Sequence, residues 1–261
     1  MSATSKLSAV LDHIDKDFDN SLERLFTLLR IKSISADPAF NDDCRKAADH
    51  LAADIASIGF STDVRPTAGH PAIVGKSNGV GLDKESGNGA HVLFYGHYDV
   101  QPVDPLNLWH RPPFEPVVTD HADGRKIIVA RGAEDDKGQL MTFVEACRAW
   151  KAVNGSLPLD VTILIEGEEE IGSKNFGPFL EKNKKDLAAD FVLVCDTGMW
   201  DQNTPAITTS LRGLVYDEVK IHAANRDLHS GIFGGGAQNP IRVLTRILGS
   251  IFDDSGRITI P

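Results

Sequence analysis

No stretch of this sequence is apolar for long enough to cross a bilayer, and no tract is biased enough to count as low complexity or as a repeat. Cysteine is scarce: the 3 present, Cys44, Cys147 and Cys195, are odd in number and far apart. That excludes a disulfide framework and predicts reduced thiols in a cytoplasmic protein. Positive charge is in the minority, with 27 Lys and Arg against 37 Asp and Glu, for a net −10. Nucleic acid and anionic membranes both demand basic surfaces, so neither is an expected partner; cations are. A secretion signal is also missing from the reading, because "MSATSKLSAVLDHIDKDFDN" places charges where an unbroken apolar stretch is needed. No Gly-rich phosphate loop precedes a helix, which weakens any phosphoryl-transfer reading.

What remains is an ordinary globular composition, 41% hydrophobic over 261 residues, enough for one large domain or two. Leu7 to Leu29 carries apolar residues at a helical period, and so does Asp42 to Ile58, with Cys44, Ala47, Ala48, Leu51, Ile55 and Ile58 on one face. Gly138 to Val153 and "SKNFGPFLEKNKKDL" are further helix candidates. The apolar runs "PAIVGKS", "HVLFYGHYDV", "KIIVARG", "VTILIEG" and "FVLVCDTG", bounded by Gly, Pro or Asp, predict strands. Strands alternating with helices imply an α/β domain with a parallel or mixed sheet. "KSNGVGLDKESGNG" predicts an exposed loop. From about Ser210 the pattern changes. "LRGLVYDEVKIHAAN" alternates with period two, as in a half-exposed strand, and a Gly-rich turn leads to a helix from Pro240 to Phe252.

The chemistry sits where strands end. Ligands of open α/β sheets bind outside the carboxyl ends of strands, and four predicted strands end in metal-capable residues. These are His97 with Asp99, Asp135 with Asp136, the glutamates Glu166, Glu168, Glu169 and Glu170, and Asp196. Singly, each has a duller account: His97 as a core histidine, the aspartates as a helix cap or turn, the glutamates as a solvated run. Jointly they suit a hard or borderline cation, which would neutralise carboxylates otherwise too crowded to lose water. In "HYD", alternation brings Asp99 to the His97 side, where it can orient the imidazole. In "EEE", one glutamate can bind a cation while its neighbour moves a proton.

In order and wording, "GHYDVQP", "ARGAEDDKG", "EGEEEIGS", "VCDTG" and "RDLHSGIFGG" resemble the co-catalytic di-zinc exopeptidase family of carnosinase, carboxypeptidase G, acetylornithine deacetylase and succinyl-diaminopimelate desuccinylase. The carnosinase-like dipeptidase branch is the most similar. The resemblance implies His97 and Asp196 on one Zn2+, Asp135 bridging to a second through a cis Asp135–Asp136 peptide, and Glu170 on the second ion. It implies Glu169 as general acid/base, Asp99 as the carboxylate behind His97, and His229 as a lid residue stabilising the tetrahedral intermediate. Two Zn2+ per site are implied, with Mn2+ or Co2+ as alternatives. Glu166 and Glu168 receive no role and are expected to be supporting or solvated. The family's further zinc-binding histidine has no counterpart after His229.

The implied fold is a zinc-exopeptidase-like mixed sheet flanked by helices, forming the N-terminal part of a catalytic domain over residues 1–209. The beginning of a smaller α+β lid and dimerisation domain follows over 210–261. The implied function is a metallohydrolase cleaving dipeptides or small N-acyl amino acids, as a homodimer through the lid. A deacylase or desuccinylase of the same family, or a non-catalytic metal- or peptide-binding piece, are the alternatives.

Overall fold

A computed structural model describes residues 3–77 and 89–260. Most of the loop predicted at "KSNGVGLDKESGNG" therefore lies outside the described residues. The chain divides into two units, Met1–Ala206 and Ile207–Pro261.

The first unit is a mixed α/β fold. Its N-terminal period-3.6 segment forms two helices, α1 (Ala3–Lys16) and α2 (Phe18–Leu29), in place of the single helical run expected. The break is at Asp17, whose ψ of 9° leaves the helical range and whose carboxylate accepts from Asn20 and Arg24. The helix α3 (Asn41–Ile58) buries the six residues that the sequence pattern places on one face and ends at Gly59 in the left-handed conformation. Next come β1 (Ser61–Arg65), β2 (Ala72–Lys76) and β3 (His91–His97). After them lie β4 (Val117–Asp120), β5 (Lys126–Val129), α4 (Lys137–Asn154), β6 (Asp160–Glu166), α5 (Phe176–Asn183) and β7 (Phe191–Val194).

Five strands make one sheet in the order β1-β2-β6-β3-β7. The β1–β2 and β2–β6 pairs are antiparallel, whereas β3 runs parallel to both β6 and β7. Period-two alternation assigns the two faces. Phe94, Ile163 and Ile165 join α2, α3 and α4 in the larger core, while Leu93 and Leu164 pack with Phe179 of α5 on the other side. The Phe94 ring stacks on Phe143 of α4 at 4.1 Å. The "KIIVARG" run does not enter this sheet. It forms β5, paired only with β4 in a separate hairpin. Apolar content marks a strand but not its partner.

In the second unit, α6 (Ser230–Phe233) and α7 (Pro240–Gly249) form as helices. Pro240 starts α7, and the Asn239 side chain accepts from the Ile241 N–H at 2.9 Å. The strand expected at "LRGLVYDEVKIHAAN" is not there: no residue of the segment joins a ladder, and Leu211, Leu214, Val215 and Tyr216 are exposed. Alternation supplies a face to bury, but a strand exists only where another strand completes its hydrogen bonds.

Candidate metal centre

One side of the sheet consists of β6, β3 and the edge strand β7, all parallel. Their carboxyl ends therefore open on one side, and each delivers a donor there. His97 is the last residue of β3 and lies opposite Glu166 in the ladder. Glu169 and Glu170 sit on a short 3-10 turn just beyond β6, and Asp196 lies two residues beyond β7. The expectation of four consecutive strand ends needs correcting. Asp135 and Asp136 come from the turn entering α4, after the separate hairpin, and their connecting peptide is cis.

His97 is fully buried, and its Nε2 has no hydrogen-bond partner among the described residues. Three carboxylates stand around that nitrogen: Asp135 Oδ1 at 3.2 Å, Asp196 Oδ2 at 3.8 Å and Glu169 Oε2 at 3.9 Å. His97, Glu169 and Asp196 each offer a donor atom within 4.8 Å of the others. An unpartnered buried imidazole nitrogen facing carboxylates is what a divalent cation requires, so the residues present fit one.

The other ring nitrogen is fixed. Nδ1 lies 3.1 Å from the Asp99 carbonyl oxygen and 3.3 Å from its carboxylate. Since a carbonyl only accepts, Nδ1 carries hydrogen, and in the neutral ring the lone pair is on Nε2. The Asp99 carboxylate also accepts from the backbone N–H groups of Glu169 at 3.2 Å and Glu170 at 3.1 Å. One buried aspartate thus sets both the histidine and the glutamate turn. The Glu170 carboxylate accepts from Gln101 Nε2 at 2.8 Å.

Asp136 does not cap α4 with its side chain. Its Oδ2 instead accepts from the His97 N–H at 3.0 Å. Only glycine at position 96 permits this, because a Cβ there would stand 2.9 Å from Asp136 Oδ2. Glu166 and Glu168 are buried rather than solvated. Glu166 accepts from Tyr95 Oη at 2.7 Å and Ser173 Oγ at 2.9 Å, and Glu168 accepts from Asn175 Nδ2 at 3.0 Å. Lys137, fully buried, donates to the carbonyls of Ile31 at 2.7 Å and Leu28 at 3.2 Å, tying the start of α4 to the end of α2. No sequence pattern singled out Gly96, Gln101 or Lys137; the "GH", "VQP" and "DDKG" neighbours of the donors were the only available signal.

The electrostatics are those of a cluster short of positive charge. Burial pushes the Asp136 carboxyl up to about 7, partly opposed by its hydrogen bond from His97. Burial also raises Glu169 and Glu170 above the usual carboxylate range. Burial opposes an imidazolium at His97, yet the hydrogen bond and charge of Asp99, with the charges of Asp136 and Glu169, hold it up to about 10. A proton stands where a cation would compete for the same lone pair. His229 belongs to the second unit, where it precedes α6 and its Nδ1 accepts from the Gly231 N–H at 3.1 Å.

Residues 93–245 match the model of Peptidase family M20/M25/M40. The chain is 33% identical to Beta-Ala-His dipeptidase of Homo sapiens, over 98% of its own length and 51% of that protein. It is 30% identical to Cys-Gly metallodipeptidase dug1 of Schizosaccharomyces pombe, over 98% of its length and 54% of that protein. Among solved structures, the di-peptidase Dug1p from Saccharomyces cerevisiae superposes with a TM-score of 0.75 at 28% identity, covering 97% of this chain and 54% of that one. The chain thus spans about half the length of the curated relatives it matches.

Proposed function

The chain belongs to peptidase family M20/M25/M40, and from that premise we propose that it carries the metal centre of a dipeptidase that hydrolyses small dipeptides, with N-acyl amino acids as the nearest alternative substrates. The observation that carries this reading is the buried, unpartnered His97 Nε2 among the carboxylates of Asp135, Asp196 and Glu169. The names of the relatives, dipeptidases of Beta-Ala-His and Cys-Gly, support the substrate class.

His97, Asp135, Asp196 and Glu170 would hold two divalent cations, zinc by preference. A bound cation supplies Lewis acidity toward a carbonyl oxygen and toward water. The remaining work falls to the chain. Asp99 keeps the His97 lone pair directed outward and fixes the Glu169–Glu170 turn through two N–H bonds. Glu169, half-buried and raised in pKa, takes a proton from the attacking water and returns it to the leaving amine. In a dimer, His229 of the lid would help stabilise the oxyanion at the partner subunit's site. Residues 1–209 are read as the N-terminal part of the catalytic domain, and 210–261 as the start of a lid through which two copies pair. Three unpaired cysteines and the acidic balance support a cytoplasmic enzyme. Among the described residues no helix is long and apolar enough to cross a membrane.

The test is hydrolysis of Cys-Gly and β-Ala-His by the zinc-reconstituted chain, before and after chelation, beside Glu169→Gln. Turnover lost in both cases supports the assignment, with a drop of about 100-fold or more for the substitution. Turnover that survives both overturns it.

A further inference from the structure

Apart from the carboxylate cluster, the segment from Arg30 to Phe40 and the loop from Val103 to Glu115 line a solvent-open cavity of about 680 Å³, within the size range of small-molecule sites. Its floor is apolar. Ile34 and Phe114 are buried there, and Phe40, Val103 and Trp109 complete the wall. Its rim is cationic, with Arg30, Lys32 and Arg111 against a single carboxylate, Glu115.

Arg30 already pairs with Glu23 at 2.6 Å. Neither Lys32 nor Arg111 has a carboxylate within 4.0 Å among the described residues. On a chain of net charge −10 this is a local inversion of sign. The cavity is also built in advance of any ligand. The Trp109 indole donates to the Val103 carbonyl at 2.9 Å, and the Arg131 guanidinium lies over its ring at 5.4 Å. The floor is fastened to the strand end that carries His97. Ile34 bridges Val100, the Val100 N–H donates to the Ser33 carbonyl at 2.9 Å, and Ser33 Oγ donates to the Tyr98 carbonyl at 2.6 Å. A preformed wall spares a ligand the cost of ordering it.

We infer that this cavity binds a small amphipathic carboxylate, its hydrocarbon part against Phe114 and Trp109 and its carboxylate between Lys32 and Arg111. An apolar floor alone would take a neutral hydrophobe; the two uncommitted cations select the anion. This inference does not depend on the peptidase reading.

Calorimetric titration of the whole chain with 4-phenylbutyrate and with its neutral amide tests it. The acid is expected to bind about tenfold more tightly than the amide. The double variant Lys32→Ala, Arg111→Ala, both positions exposed, is expected to weaken the acid about fivefold or more while leaving the circular dichroism and the melting midpoint in place. Equal affinity for acid and amide, or no binding of either, overturns the inference. Acid binding that the double variant leaves unchanged also overturns it, since a carboxylate held by a cation at His97 would behave that way.

Discussion

The His97 backbone N–H donates to Asp136 Oδ2 at 3.0 Å, so the residue leading into α4 holds the end of β3 through a carboxyl group buried from water. The two residues act as one joint. One supplies the imidazole, and the other fixes the peptide from which that imidazole projects.

Asp136→Ala leaves the His97 N–H buried without an acceptor, a cost of about 1–3 kcal/mol. Asp136→Asn keeps an acceptor oxygen and is expected to recover about half of that loss. Urea unfolding of both variants in the metal-free state checks the order; an alanine variant as stable as the wild type would contradict the joint.

Gly167→Ala is expected to be among the most damaging single-methyl additions in the chain. A Cβ there would stand 2.2 Å from the Tyr98 ring, which is fully buried and tethered through its hydroxyl to the Pro71 carbonyl at 2.8 Å. The ring has nowhere to move, so the cost is about 2–3 kcal/mol, read as a lowered melting midpoint. Gly177→Ala, with nothing near its added carbon, is the control and should stay within about 0.5 kcal/mol of wild type.

Acid should release the helix layer at one identifiable point. Glu145 of α4 accepts from Arg24 of α2 at 2.8 and 2.6 Å, while Arg148 of α4 reaches Asp54 of α3 at 2.7 Å. Burial pushes the Glu145 carboxyl up, but the hydrogen bond and charge of Arg24, with the charge of Arg148, bring it below the ordinary value. A carboxylate depressed in the folded state contributes stability that is present above its unfolded pKa of about 4.5 and lost as pH falls through the folded value. Glu145→Gln should therefore cost about 1–2 kcal/mol at pH 7, and the gap to wild type should close as pH falls through the lowered folded-state value. A gap independent of pH would assign the loss to packing.

Zinc should stabilise the chain by an amount that grows with the logarithm of free zinc above its dissociation constant. At free zinc about 100 times the dissociation constant the gain is about 2.7 kcal/mol, seen as a rise in melting midpoint that chelation reverses. His97→Ala should abolish the rise; a rise that persists would place the ion elsewhere.

The helices were legible because their periodicity is self-contained. Every apolar position of the Asp42–Ile58 face is buried, since one amphipathic stripe of that width has one place to go. Strands were legible as apolar runs, but β1 and β4 escaped. "STDVR" has one apolar residue, "VVTD" is half polar, and both owe their state to the neighbours they pair with. The same dependence on partners explains the opposite error at 211–225. At the centre, the donor types and their order were readable, while the orientations were not. Glu169 turns toward His97 and Glu170 toward Gln101, a difference of adjacent dihedrals that no spacing rule encodes. Asp136 reads as a helix cap in the sequence and serves β3 instead, because Gly96 opens a place for it.

The parallel register that sets Gly96 against Ile165 and His97 against Glu166 has a bearing on how such a chain can vary in length. One residue gained or lost inside β3 would rotate each following side chain to the opposite face and carry His97 out of reach of Asp196, and one inside β6 would displace the Glu169–Glu170 turn in the same way. The turn between β4 and β5, where exposed Asp123 and Arg125 pair with each other, bears no such constraint. Insertions and deletions in kindred chains should accumulate at that hairpin tip and stop short of the two central strands, so that a comparison of loop lengths alone would outline the metal centre.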